Sequence, residues 1–483
     1  MACTTILVGK NASYDGSTMI ARNDDSPSGV FTEKKMIAVE ASSKAKKYKS
    51  VISHCEIDLP ENSLSYTLMP NVSNKEGIWG ASGINSENVS MTATETITTN
   101  PRVLGADPFV RLHKDENLNE VCGGIGEEDL VVLVLPYIKS AREGVIRLGE
   151  LLKKYGTYEA NGIAFSDKDE IWYLETIGGH HFMAKRVPDD SYVVMPNQLG
   201  IDSFDFDDAY SKQVNHICSD DLKEFVTKNH LDLSLSDKFN PRLAFGSHDD
   251  SDHVYNTPRA WYMLRYFNKN TFKFDGEDAR YTPLSDDLPW SLVPERKITV
   301  EDVKYILSSH YQGTVYDCYS KVKDEKMKGA YRPIGISRTS FMSINQIRGY
   351  LPKPVQAVEW ICFGSNAFNS VVPLYTNVSK IPEYFTNTTL NVDTNNFYWS
   401  SRLIGALVDA HFNTCSIFVE RYQAALVSQA YAILNEYDNK PELLEEANEK
   451  LAKIAKIETD KCLKNVLYTA SCHMINGYSR SDN

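Results

Sequence analysis

Cys3 and the run Arg22-Asn23-Asp24-Asp25 are the residues of this chain best equipped for chemistry. Cys3 stands just ahead of the aliphatic and β-branched run Thr4 to Val8. Removal of Met1 and Ala2 would make Cys3 an N-terminal residue that carries a thiol and its own α-amine. An α-amine has a reference pKa of about 7.7–8.0 and a thiol of about 8.5, so near neutral pH the amine suits the role of base toward the thiol. This is the logic of an N-terminal nucleophile, activated by the amine beside it. Methionine removal ahead of a small residue leaves Ala2 covering Cys3, so a second, autocatalytic cut at Ala2–Cys3 is expected. A buried free cysteine is ordinarily inert, and the assignment rests on its neighbours.

Amide hydrolysis by a thiol needs a thiolate, a base, donors for the oxyanion and a group that orients the base. Arg22 ends a hairpin arm predicted to lie beside the Cys3 strand, where a guanidinium favours the thiolate. Asp25 is placed to accept a hydrogen bond from the α-amine. Polar runs of this kind also end hairpins with no other role. Asn85 and Asn197 each close a predicted strand, and strand-end amides are candidate oxyanion donors. Arg259 is a candidate bidentate anchor for a substrate carboxylate. Glu175, or an aspartate of residues 249–252, is a candidate partner for a substrate ammonium.

The elements that must position these groups are read from periodicity and turn chemistry. Residues 3 to 22 read as a hairpin, with arms Thr4–Val8 and Thr18–Arg22 around Ser13-Tyr14-Asp15-Gly16-Ser17. Further strands are predicted at 36–40, 78–84, 89–94, 162–166, 170–176, 181–186 and 192–195. Helices are predicted at 129–140, 141–155, 207–228, 300–309, 401–437 and 441–465, the fourth introduced by the capping signal Thr299-Val300-Glu301-Asp302. Strands early and long helices late indicate an α+β fold. Residues 1–2 read as a short propeptide and 3–483 as one catalytic domain with helical insertions and C-terminal helices.

With 42% hydrophobic and 24% charged residues the chain has a globular composition. Its net charge of −13 argues against a nucleic-acid partner and against an anionic membrane surface. No apolar run is long enough to span a bilayer, and no secretory signal is read at the start. Nine cysteines at irregular spacing, without a C-x-x-C pair, point to a reducing, cytoplasmic setting with free thiols. His180-His181 is not read as a metal pair, because adjacent strand residues face opposite ways. The run 247–253 offers oxygens for a hard cation but lacks the glycine and distal glutamate of a calcium loop. Gly123-Gly124-Ile125-Gly126 does not fit a dinucleotide fingerprint.

Taken together, Ala2-Cys3-Thr4-Thr5, Arg22-Asn23-Asp24-Asp25, Trp172-Tyr173-Leu174-Glu175 and Gly178-Gly179-His180-His181 resemble the C69 cysteine dipeptidases. Asn256-Thr257-Pro258-Arg259, Trp360-Ile361-Cys362-Phe363-Gly364 and Phe397-Tyr398-Trp399 extend the resemblance over most of the chain. It implies a four-layer αββα sandwich of N-terminal nucleophile hydrolase type. It also implies hydrolysis of dipeptides with a broad side-chain range, without metal or cofactor. Carried over by motif, Cys3 matches the nucleophile, and Arg22 and Asp25 its flanking pair. Asn85 and Asn197 match the oxyanion and amine-binding asparagines, and Arg259 the second arginine. Two other readings keep the fold: an N-acyl amide hydrolase of the penicillin V acylase or choloylglycine hydrolase type, and a non-catalytic secernin-like interaction protein. The partners expected are small peptides and, through the late amphipathic helices, further copies of the chain.

Overall fold

Thr4–Val8 forms β1 and Thr18–Asp25 forms β2, the predicted hairpin, with Thr4 opposite Asn23 and Thr5 opposite Arg22. The computed structural model describes residues 3–235, 238–247, 249–321 and 326–474, apart from the side chains of Thr94 and Glu95. The proposed propeptide, residues 1–2, and His248 of the 247–253 run lie outside the described residues.

Two larger antiparallel sheets dominate. The first has seven strands in the order Ser291–Leu292, Tyr192–Met195, β1, β2, Thr339–Ile347, Ala357–Phe363, Val372–Tyr375. The second has six, in the order His216–Cys218, His181–Arg186, Ile171–Ile177, Asn161–Ser166, Ser90–Thr96, Ser82–Ile84. The two-residue pleat sorts their side chains. Leu7, Ile20, Val193 and Met195 of the first sheet pack with Ala164, Tyr173, Ile177 and Met183 of the second. On the opposite side of the hairpin, Ile6, Val8, Met19 and Ala21 pack against helices Thr257–Phe267 and Val300–Leu307. The far face of the second sheet, with Met91, Ile163, Phe165 and Leu174, is covered by helices Glu127–Val134 and Ala141–Tyr155. Helices Phe397–Ala410, Phe412–Tyr437 and Leu444–Cys472 pack on Ile361, Phe363, Val372 and Leu374. Each such buried aliphatic side chain contributes about 1.5–3 kcal/mol.

Several expectations need correction. Residues 207–228 are not one helix. Helices Phe206–Ala209 and Leu222–Lys228 flank the edge strand His216–Cys218. Asp208 accepts hydrogen bonds from the amides of Val214, Asn215 and His216, a local alternative to the helical ladder. The helix predicted over 401–437 is two helices that meet at His411, whose φ and ψ are −130° and 32°. The strand predicted at 78–84 begins only at Ser82, because Trp79 and Ala81 lie in the left-handed region. The order of strands early and helices late fails too: Thr339–Ile347, Ala357–Phe363 and Val372–Tyr375 complete the first sheet, and Thr339–Ile347 pairs directly with β2. No helix among the described residues is long and apolar enough to cross a membrane.

Candidate active site

The strand period places Ile20, Arg22 and Asp24 on one side of β2 and Met19, Ala21 and Asn23 on the other. Arg22 therefore enters the seam between the sheets, completely buried, as Cys3 is. Its Nη2 donates to Cys3 Sγ at 2.7 Å and lies 3.1 Å from Asp24 Oδ1. Its Nη1 donates to the carbonyls of Ala93 and Ala81, so the guanidinium ties Cys3 and β2 to the second sheet and the residue before it.

Asp24 holds a second cation. Lys34 Nζ stands 3.1 Å from Asp24 Oδ2 and donates to the Trp79 carbonyl at 3.0 Å. Burial alone would push the Asp24 carboxyl up, but Lys34 and Arg22 outweigh it and hold the carboxyl below its ordinary range. Burial lowers the Lys34 ammonium, and Asp24 opposes that shift. The left-handed residues Trp79 (φ 52°) and Ala81 (φ 53°) are the two whose carbonyls receive Lys34 and Arg22. Such conformations cost about 1–3 kcal/mol each. Here they turn acceptors toward buried cations.

A further carboxylate enters from the second sheet's helical cover. Glu127 opens helix Glu127–Val134 and is buried, with Oε1 3.8 Å from Arg22 Nη2 and Oε2 taking a hydrogen bond from Thr96 Oγ1 at 3.4 Å. Its peptide N–H donates to Glu159 Oε1 at 2.8 Å. Gly126 before it is required by close packing, since a Cβ there would fall 2.2 Å from the Tyr158 hydroxyl. Cys3 Sγ and carboxylate oxygens of Asp24 and Glu127 all lie within 4.8 Å of one another.

On the other side of Cys3, Arg259 of helix Thr257–Phe267 is fully buried. It donates to the Cys3 carbonyl, to Thr4 Oγ1, to Asn197 Oδ1, to Asn256 Oδ1 and to the Tyr255 carbonyl. Arg259 thus reaches Cys3 as expected, but its five N–H groups hold backbone and asparagine, so the role of substrate-carboxylate anchor is corrected to that of a positioning residue. Asn197 joins the cluster through Arg259, and its Nδ2 donates to the Thr96 carbonyl at 2.9 Å. Asn256 clamps the Asn197 backbone, accepting from its N–H and donating to its carbonyl.

Asp25 is buried on the Arg259 side rather than beside Arg22. Its carboxylate pairs with Arg332 Nη2 and accepts from Thr339 Oγ1 at 2.6 Å. Burial alone would lower the Arg332 guanidinium, but Asp25 raises it. The Tyr255 ring lies between the two arginines, 5.3 Å from Arg259 and 4.9 Å from Arg332.

Two expected residues are committed elsewhere than at Cys3. Asn85 gives both amide hydrogens, at 2.8 Å each, to the carbonyls of Leu135 and Ile138, and its Oδ1 accepts from the amides of Glu87 and Val89. It fastens a turn to the helical layer and keeps no hydrogen for an oxyanion. Glu175 accepts from the amides of Gly200 and Ile201, and burial pushes its carboxyl up to about 7. It binds that loop rather than a substrate ammonium. In the 249–252 run Asp249 and Asp250 are exposed, and Asp252 accepts from Ser247 and Asn256. His180 and His181 converge after all, both Nδ1 atoms meeting the Asp107 carboxylate at 2.9 and 2.7 Å. His180 precedes the strand and escapes its alternation.

Sequence reasoning missed Asp24, Lys34, Glu127, Asn256 and Arg332. Only Asp24 left a local signal: it shares the face of Arg22 by the two-residue period, and Asp25 does not.

Comparison with known proteins adds an independent line. The profile of peptidase family C69 matches residues 2–425. A dipeptidase of Bifidobacterium longum (strain NCC 2705) is 50% identical over 532 residues, covering 100% of both chains. A probable dipeptidase A of Streptococcus pyogenes serotype M3 is 50% identical over 488 residues, again covering 100% of both. Dipeptidase A of Lactobacillus helveticus is 46% identical over 439 residues, 90% of this chain and 88% of that one.

Proposed function

The chain belongs to peptidase family C69, and on that premise we propose that it is a cysteine dipeptidase of N-terminal nucleophile type, with Cys3 as the nucleophile. That it is a peptidase acting on dipeptides follows from the family and from relatives that match along its whole length. The mechanism proposed here begins when loss of Met1 and Ala2 frees the Cys3 amine. The amine takes the Sγ proton, and the sulfur attacks the carbonyl carbon of the peptide bond. The sulfur–carbon bond forms as the carbonyl π pair moves to oxygen. The Asn197 amide and a backbone N–H receive that oxyanion. Collapse breaks the carbon–nitrogen bond, and the proton held on the α-amine goes to the leaving amine. A water, deprotonated by the same α-amine, then cleaves the thioester and restores the thiol. Arg22 stabilises the sulfur anion, Asp24 and Lys34 fix Arg22, and Arg259 fixes the Cys3 backbone. Asp25, held by Arg332, orients the amine.

The observation that carries this reading is the Arg22 Nη2 to Cys3 Sγ contact of 2.7 Å inside a fully buried, charge-paired cluster. An inert core thiol needs no buried guanidinium beside it. Two facing sheets, each with helices on its outer side, support the four-layer αββα architecture. Nine free cysteines support a reducing, cytoplasmic setting. The test is intact mass with N-terminal sequencing of the active enzyme. A chain that begins at Cys3 is expected, and full activity with Met1 or Ala2 retained would overturn the amine-as-base mechanism.

A further inference from the structure

A groove of about 840 Å³ runs between helices Val300–Leu307 and Phe412–Tyr437, with residues 367–371 as its floor. The helical period builds its first wall. Glu301, Lys304, Tyr305 and Ser308 stand at i, i+3, i+4 and i+7, opposite the buried Val303 and Ile306. Phe412, Val419 and Val427 turn an apolar face to the groove from the longer helix, and Phe368 and Val371 supply an apolar floor. Hydrogen bonds tie the three sides together. Ser308 Oγ donates to the Asn366 carbonyl at 3.3 Å, Asn366 Nδ2 to the Leu307 carbonyl at 2.9 Å, and Gln423 Nε2 to the Asn369 carbonyl at 3.0 Å. The shape is set in advance, and its volume falls in the range of roughly 300–1,000 Å³ of small-molecule sites.

One charge stands out on this lining. Lys304 is the only lysine or arginine among the described residues that form the groove, and it is partly buried. Among the described residues it makes no hydrogen bond or ion pair. Burial pushes its ammonium down to about 8, and the one group that opposes this shift is the Cys362 thiol, not a carboxylate. The carboxylates of the groove are engaged or wet. Asp317 meets His310 Nδ1 at 2.7 Å and accepts from the Tyr319 amide at 2.9 Å, while Glu301 and Glu420 are exposed. Water and salt screen the exposed pair far more than a desolvated ammonium. A cation drawn out of water without a counter-ion is costly, and an anion that brings its own apolar body offsets that cost.

The remaining polar side chains offer little to a ligand with a hydrogen-bonding backbone. Gln312 Oε1 accepts from Ser309 Oγ and the His310 amide, Gln423 is held by Asn369, and Ser428 donates to the Ala425 carbonyl. We propose that this groove binds an amphiphilic carboxylate, a single anionic head on an alkyl body, with the head on Lys304 and the body along the apolar walls. The groove shares no residue with the cluster around Cys3.

The test titrates the full chain with decanoate, below its micelle concentration, in a calorimeter. Saturable binding of one molecule per chain is expected, about 10- to 100-fold tighter than 1-decanol, the gain from a hydrogen-bonded charge. Lys304→Met should remove that gain: decanoate weakens by the same factor while 1-decanol keeps its affinity. Lys304→Arg should restore most of it. Dipeptide turnover and melting temperature should stay at the wild-type level in both variants, and Lys304→Gln serves if the methionine variant does not fold. No saturable binding, a wild type indifferent to the carboxylate, or undiminished decanoate binding by a folded Lys304→Met overturns the proposal. Acetyl-Leu-Leu-Phe carries the same single charge on a peptide backbone, and a preference for it over decanoate overturns the alkyl assignment in favour of a peptide end.

Discussion

On the side of β2 and strand Thr339–Ile347 that faces the second sheet, two polar clusters are buried within a few residues of each other. One gathers Cys3, Arg22, Asp24, Lys34 and Glu127. The other gathers Glu359, Thr67, Ser82, Ser343 and Asn345. Glu359 accepts from Thr67 and Ser82 at 3.0 and 3.2 Å, and Ser82 is bonded in turn to Ser343 and Asn345. Both are out of water. In the first, Asp24 is held below its ordinary range because cations overcome burial. In the second, the Thr67 and Ser82 hydroxyls meet the carboxyl, and burial pushes Glu359 up to about 7. Burial by itself therefore does not decide charge in this interior; the partners do. A fixed anion–cation array stands beside the sulfur, where the proposed reaction would develop charge, and a carboxyl that can stay neutral fills the seam farther along.

The hardest blow to this contrast falls on Cys3, the proposed nucleophile. Cys3→Ala is expected to lower kcat/KM for dipeptides by at least about a thousandfold while the melting temperature stays near that of the wild type. A folded variant with appreciable turnover would remove the reason for the charged array. Next comes Asp24→Asn, which leaves Arg22 and Lys34 buried without their shared anion. A loss of about 3–5 kcal/mol in denaturant unfolding is expected. Glu359→Gln keeps the volume and the hydrogen bonds of a neutral group and should cost about 1 kcal/mol or less. Equal losses for the two would erase the distinction between the clusters.

Arg22→Lys keeps a positive charge but loses the fork that reaches sulfur, Asp24 and two carbonyls at once. About 10- to 100-fold in kcat/KM is expected to go, with a smaller change in stability than for Asp24→Asn. The smallest effect is a slope in melting temperature against pH. Folded Glu359 keeps its proton up to about 7, whereas the unfolded chain releases it near the ordinary carboxylate value. Stability from this group is thus full at low pH, falls as pH rises through that window and levels off above about 7. Asp129, Glu159 and Glu175 are pushed to about 7 as well, so Glu359→Gln should flatten the slope in part. Asp24 has the opposite sign, with its contribution present at neutral pH and lost as pH falls through its lowered value.

The same contrast explains what could be read in advance. β1, β2 and the strands between 161 and 195 have apolar alternation or β-branched runs, and they emerge close to the predicted bounds. Strand Thr339–Ile347 escaped because its seam-facing Ser343 and Asn345 imitate a solvent face; they are polar inside a protein whose second sheet supplies Ser82 as their partner. Cys3 and Arg22 were legible as neighbours across a hairpin. Lys34 was not, because nothing near it announces that a loop will bring it to Asp24. Asn85 misled because a strand-end asparagine looks the same whether it faces a substrate or ties down a turn.

Sequence alone therefore determined the features that repeat within a few residues or depend on chemical identity. These are the cysteine near the start, the hairpin that brings Arg22 beside the strand after Cys3, the capped helix at Thr299 and the family. Tertiary structure decided which charges gather around Cys3. Arg22, Glu127 and Arg259 come from a strand, a helix of the opposite sheet and a helix on the other face, separated by more than a hundred residues in each successive step. Side-chain alternation is local and survives in any fold that keeps the strand. A charge's partners, and hence its ionisation, exist only once distant backbone segments have been packed out of water around it.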